Sequence, residues 1–118
     1  MKYVLLEGIA LLVLCGCTSM ATKIKQENYS SWPAQIQQAV DSGIIIPGMN
    51  KLQVLAVTNV PDSLLQKRSQ CVSNVTLETW ILYKAWGGYY YRDPGFAYTV
   101  IISFRNGIVE GVSLKEPN

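Results

Sequence analysis

Few side chains in this chain of 118 residues could carry covalent or acid–base chemistry, and the thiols come first. The cysteines are Cys15, Cys17 and Cys71, and the sequence contains no histidine. Serine and cysteine nucleophiles are usually activated by an imidazole, and most zinc sites use one. Cys71 therefore lacks a partner for nucleophilic catalysis, and no metal is expected. Asp93, Glu78 and Glu110 are the carboxylates that could supply the pair needed for glycoside hydrolysis. Nothing in their spacing sets two of them across a cleft, so they read as solubilising charges. Gly87-Gly88 lacks the lysine and the following helix of a phosphate-binding loop. The expectation is a protein that is not an enzyme and holds no cofactor.

One thiol stands apart. Leu14-Cys15-Gly16-Cys17 closes an apolar stretch, and a hydrophobic residue, a small residue, Gly and Cys in that order resembles the lipobox of bacterial lipoprotein precursors. By that resemblance Cys17 would carry a diacylglyceryl group, the Gly16–Cys17 bond would be cut, and Cys17 would become the acylated N-terminus. The apolar run Ile9–Leu14 is far short of the about 20 residues that cross a bilayer. It suits the core of a signal peptide, with Lys2 as its positive flank. Residues 1–16 thus read as a signal peptide, 17–31 as a lipidated tether and 32–118 as the folded domain. Thr18 after the cysteine, rather than Asp, implies by the same resemblance the outer membrane facing the periplasm rather than the inner membrane.

Cleavage would remove Lys2 and Glu7 together, so the net charge stays at +2. That balance gives no electrostatic case for nucleic acid, which needs a dense basic face. The remaining length suits one compact domain. Cys71 would be the only thiol left beside the acylated one, so no intramolecular disulfide is expected and Cys71 reads as a small buried residue.

The elements follow from periodicity. Thr18 to about Ser30 is polar and aperiodic, as a tether would be. Ser30 or Ser31 offers an N-cap, Pro33 suits a first helical turn, and Ile36, Ala39 and Val40 form one apolar face. This predicts a helix over Pro33–Ser42, stopped by Gly43 in a left-handed conformation. After the apolar connector Ile44–Met49, Asn50 caps a second helix with Gln53 at the capping-box position. Its expected apolar stripe is Leu52, Leu55 and Ala56, and it ends at Asn59-Val60-Pro61-Asp62. Beyond Asp62 the pattern becomes extended. Ser73–Tyr83, Phe96–Phe104 and Ile108–Leu114 read as strands, the last two joined by an Asn106-Gly107 hairpin turn. A regular register would pair Phe104 with Val109, Ile102 with Gly111 and Val100 with Ser113. One face would then carry Tyr98, Val100, Ile102, Phe104 and Val109. The other would carry Ile101, Val112 and Leu114. The expected fold class is α+β, two short helices packed on one face of a three-stranded antiparallel sheet (ααβββ).

Four motifs in order carry a family resemblance. They are Gly48-Met49-Asn50-Lys51-Leu52-Gln53-Val54, then Pro61, then Glu78-Thr79-Trp80-Ile81-Leu82-Tyr83, then Ile102-Ser103-Phe104-Arg105-Asn106-Gly107. With the lipobox ahead of them, the stretch Ile36–Leu114 resembles the BamE/SmpA/OmlA group of small outer-membrane lipoproteins. Asn59 stands where that group has a glycine, which asparagine can replace because it too accepts left-handed geometry. The resemblance implies a lipid-anchored envelope scaffold that supports outer-membrane protein assembly or envelope integrity. A periplasmic inhibitor or ligand-binding module on the same scaffold is the alternative, since fold does not fix function.

The expected partners are the membrane, through the lipid on Cys17, and another envelope protein. Aromatic residues and arginine favour binding hot spots and membrane interfaces. Trp86, Tyr89, Tyr90, Tyr91 and Arg92 lie in one such loop. Together with Ile101, Val112 and Leu114 on the sheet face that two helices cannot reach, they form the candidate partner surface.

Overall fold

The computed structural model describes residues 19–117, so Gly16, Cys17 and the signal-peptide expectation lie outside the described residues. Ser19 starts the described chain as an N-cap, its Oγ accepting from the Thr22 N–H at 3.1 Å. Helix α1 (Met20–Asn28) follows, so the stretch expected to be an aperiodic tether is folded. Its apolar content is sparse. Ile24 is buried and Met20 packs beside it, while most of the other residues face water. Such a helix is held by the neighbour it packs on, here α3, rather than by propensity.

A single 3₁₀ turn (Tyr29–Ser31) leads to α2 (Ala34–Asp41). The serine cap expected there does not form: Pro33 occupies the N-cap, and the Ser31 hydroxyl donates back to the Asn28 carbonyl. Gly43, at φ +72°, ends α2 as expected. Its N–H donates to the Val40 carbonyl and the Ile44 N–H to that of Ala39, the paired bonds of a Schellman closure. Helix α3 (Lys51–Thr58) has the full capping box between Asn50 and Gln53. Asn59 closes it at φ +56°, the left-handed geometry anticipated for this position.

The α3 stripe is a correction. Val54 and Ala56 are buried, Leu55 is half-buried and Leu52 is 39% exposed. Six of the eight residues from Lys51 to Thr58 are Leu, Val, Ala or Thr, and α1 and α2 both pack on this helix. A helix apolar on most sides carries little phase information, so spacing alone selects no face.

Five antiparallel strands make the sheet: β1 (Gln66–Val72), β2 (Val75–Ala85), β3 (Gly88–Tyr90), β4 (Tyr98–Arg105) and β5 (Ile108–Lys115). The order is β1-β2-β4-β5, with β3 pairing the end of β2 on the edge that β1 leaves free. The α+β class with helices on an antiparallel sheet therefore holds, with three helices and five strands among the described residues in place of two and three. Ser73 and Asn74, expected inside a strand, are instead the β1–β2 turn, at φ +49° and +67°. Strand β1 is exposed along its whole length, with Lys67 and Arg68 on it, as suits a free sheet edge. Cys71 lies on this strand and is exposed rather than buried.

Trp80, Leu82, Val100, Ile102, Phe104 and Val109 point from β2, β4 and β5 into the helical layer and are all but fully buried. Trp80 and Phe104 meet with ring centroids 4.6 Å apart. The intervening residues Leu77, Thr79, Ile81, Tyr83, Thr99, Ile101 and Ser103 are half-buried, and none is fully buried. That alternation marks a sheet covered on one side only.

The hairpin turn at Asn106-Gly107 forms as expected, at φ +50° and +82°, and Arg105 pairs with Ile108 and Phe104 with Val109. The register then shifts. Glu110 is an extra residue, so Ser103 pairs with Gly111, Ile102 with Val112 and Val100 with Leu114. A bulge of this kind moves every later side chain to the other face. Val112 and Leu114 therefore lie on the helix side of the sheet, not beside Ile101.

Candidate functional site

The residues expected to form one partner surface fall on two faces. Ile101 sits on the uncovered face, next to Ile81 across the β2–β4 ladder. Tyr90 pairs with Tyr83, on the same face, and is 38% exposed. Val112 and Leu114 lie on the helix side yet are 37% and 64% exposed. They border a groove of about 240 Å³ with Ile44, Ile45, Tyr89 and Val100.

The tyrosine run divides by role. The Tyr89 hydroxyl donates to the Gly43 carbonyl at 2.9 Å, tying β3 to the end of α2, and Lys84 Nζ lies 5.1 Å from its ring. Tyr91 packs against the core edge, with the Arg92 guanidinium 5.5 Å from its ring. Tyr90 donates to the Trp86 carbonyl at 3.4 Å and closes the Trp86-Gly87 turn. Trp86 itself stands 97% exposed.

Phe96 is the residue that sequence reasoning missed. Read as the first residue of a strand, it precedes β4, has φ +57° and is 91% exposed. The Asp93-Pro94-Gly95 turn was the available signal: Asp93 Oδ1 accepts from the Gly95 N–H at 2.9 Å, and the chain straightens only after Ala97 buries itself. Trp86 and Phe96 line one open groove of about 360 Å³ with Lys84, Ala85, Tyr98 and Leu114. Both sit at the same end of the ladder, because Lys84 pairs with Tyr98.

The three carboxylates considered for catalysis have separate partners. Glu78 accepts from Lys51 Nζ at 2.7 Å and from the Trp80 indole N–H. Glu110 faces Arg105 at 3.7 Å, and Asp93 serves its own turn. Burial pushes the Glu78 carboxyl up, but the bonds from Lys51 and Trp80 and the charges of Lys51 and Lys67 outweigh it and hold it below its ordinary value. No helix among the described residues is long and apolar enough to cross a membrane.

Comparison with protein-family models, with curated proteins and with solved structures returned no match.

Proposed function

We propose that this chain is a lipid-anchored binding or scaffold module of the bacterial cell envelope, BamE-like in kind, acting in outer-membrane protein assembly or envelope integrity. The observation that carries it is the uncovered sheet face. Leu77, Ile81, Tyr83 and Ile101 lie together across the two central strands and are only half-buried. Apolar side chains that stay partly open on a sheet face no helix covers support a place where another protein docks.

The residues behind the family resemblance support the same reading, since they tie the layers together. The Gly48 N–H donates to the Val109 carbonyl at 2.9 Å, and the Val109 N–H to that of Met49 at 2.8 Å. Trp80 and Phe104 pack together in the core with their ring planes tilted by 52°. In this reading α2, α3, β2, β4 and β5 are the ααβββ kernel, and α1, β1 and β3 are additions to it. Cys17 carries the lipid, the domain faces the periplasm from the outer membrane, and the chain catalyses nothing.

Co-purification in mild detergent tests the proposal. The full chain should retain a β-barrel assembly complex, and Ile81→Lys with Ile101→Lys should lose it while keeping a native circular dichroism spectrum. Capture of a single soluble enzyme would overturn the scaffold reading in favour of an inhibitor. Cys17→Ser should abolish fatty-acid incorporation, and label retained in that variant would remove the anchor.

A further inference from the structure

We infer that the end of the domain bearing Trp86 and Phe96 rests in the headgroup region of the same bilayer that holds the Cys17 lipid, making a second point of membrane contact. The inference rests on the acylation of Cys17 proposed above.

Chain length is the first argument. Ser19 caps α1, and the Ala21 N–H donates to Asn59 Oδ1 at 2.9 Å, so the start of α1 is fixed against the end of α3. Cys17 precedes Ser19 by two residues, which span at most about 7 Å when fully extended. An acylated Cys17 thus leaves no slack to lift this end of the domain off the membrane.

The second argument is what lies at that end. Asn59 borders one cleft with Lys84, Gly87 and Gly88, so the Trp86-Gly87 turn is a close neighbour of the anchored helix start. Trp86 stands on that turn at 97% exposure, and Phe96, which shares a groove with it, is 91% exposed. Neither ring is packed on the protein, and Phe96 is held at φ +57°, in the left-handed region that L-residues avoid. Tryptophan and other aromatic rings favour the membrane interface, where an apolar face meets lipid and a polar edge meets water. Lys84 lines the groove with both rings and supplies a cation for phosphate headgroups, while Asp93, Lys115 and Glu116 border Phe96 on its other side. Contact through the strand ends leaves the uncovered face with Ile81 and Ile101 open to a protein.

The three tryptophans allow a direct test, because Trp32 and Trp80 are buried and only Trp86 is open to solvent. The full chain, purified from envelopes, is placed in phosphatidylethanolamine–phosphatidylglycerol vesicles with and without brominated acyl chains, and its intact mass reports the lipid on Cys17. The expected result is blue-shifted emission, loss of most of the Trp86 signal to the brominated chains, and protection from acrylamide. Trp86→Phe should remove all three responses, and its exposure means that the fold should not suffer. An acylated chain whose Trp86 stays open to acrylamide overturns this inference alone. A chain without the acyl mass overturns the anchor as well. Protection that requires a co-purified envelope protein makes the site a protein contact and equally overturns it.

Discussion

The Ala21 N–H donates to Oδ1 of Asn59 across 38 positions of sequence, joining the first turn of α1 to the left-handed residue that ends α3. One asparagine thus does two things. Its backbone adopts φ +56°, and its side chain satisfies a helix N–H that has no partner within α1. Asn59→Gly keeps the backbone and loses the acceptor, which should cost about 1 kcal/mol, as loss of a helix cap does. Asn59→Ala should cost about 1 kcal/mol more, from forcing a Cβ into the left-handed region. Urea midpoints separate the two, and equal losses would show that the backbone strain is relieved.

The Asn106-Gly107 turn is bound to β2 as well as to its own hairpin. The Asn106 N–H donates to the Thr76 carbonyl at 2.8 Å, and Asn106 Oδ1 accepts from the Thr76 N–H at 3.0 Å. Replacement of both turn residues by valine should cost about 1–3 kcal/mol in strain at positive φ. Asn106→Gly should cost less, because it loses only the side-chain acceptor. A melting temperature unchanged by the double substitution would contradict the turn geometry.

How far this fold could be read from its residues depended on whether a local cause existed. The capping box at Asn50 and Gln53, the stop at Gly43 and the turn at Asn106-Gly107 are short-range chemistry, and all three form. Strand β1 was hidden because an edge strand has no apolar alternation to display. Helix α1 was hidden because its bond to Asn59 and its packing on α3 come from distant sequence. Leu52 was placed in the core because α3 is apolar on several sides at once. For the candidate site, the exposure of Trp86 and Tyr90 followed from a crowded aromatic loop, whereas that of Phe96 depends on the backbone it takes after Gly95.

Acid should weaken the domain through Glu78. Its carboxyl is held below the ordinary value in the folded state, so its contribution is fully present above the unfolded value of 4.5 and is lost as pH falls through the folded one. Lys51 Nζ, 2.7 Å away, sits in the first turn of α3 and loses its counter-ion when Glu78 is protonated. Glu78→Gln should lower the urea midpoint at neutral pH and flatten its decline below about pH 4.5. A variant with the same acid slope as the parent would assign the acid sensitivity to another group.

Glu110 should be removable. It is the extra residue opposite the Ser103–Phe104 step, and the residues on either side of it already keep correct partners, Val109 with Phe104 and Gly111 with Ser103. Deleting it turns a bulged ladder into a regular one without changing any other pairing, so Val112 and Leu114 keep their face. Its pairing with Arg105 is exposed on both sides and worth at most about 1 kcal/mol. Deleting Ser113 should behave differently, because it shifts Leu114 and everything after it to the opposite face. The Glu110 deletion should therefore melt within a few degrees of the parent, and the Ser113 deletion should lose hydrogen-exchange protection at the end of β5, where alternate amides bond to β4. If deletion of Glu110 destabilises as much as replacement of Trp80 by alanine, about 3–5 kcal/mol for a large core residue, the bulge is a required bend and not a spare residue.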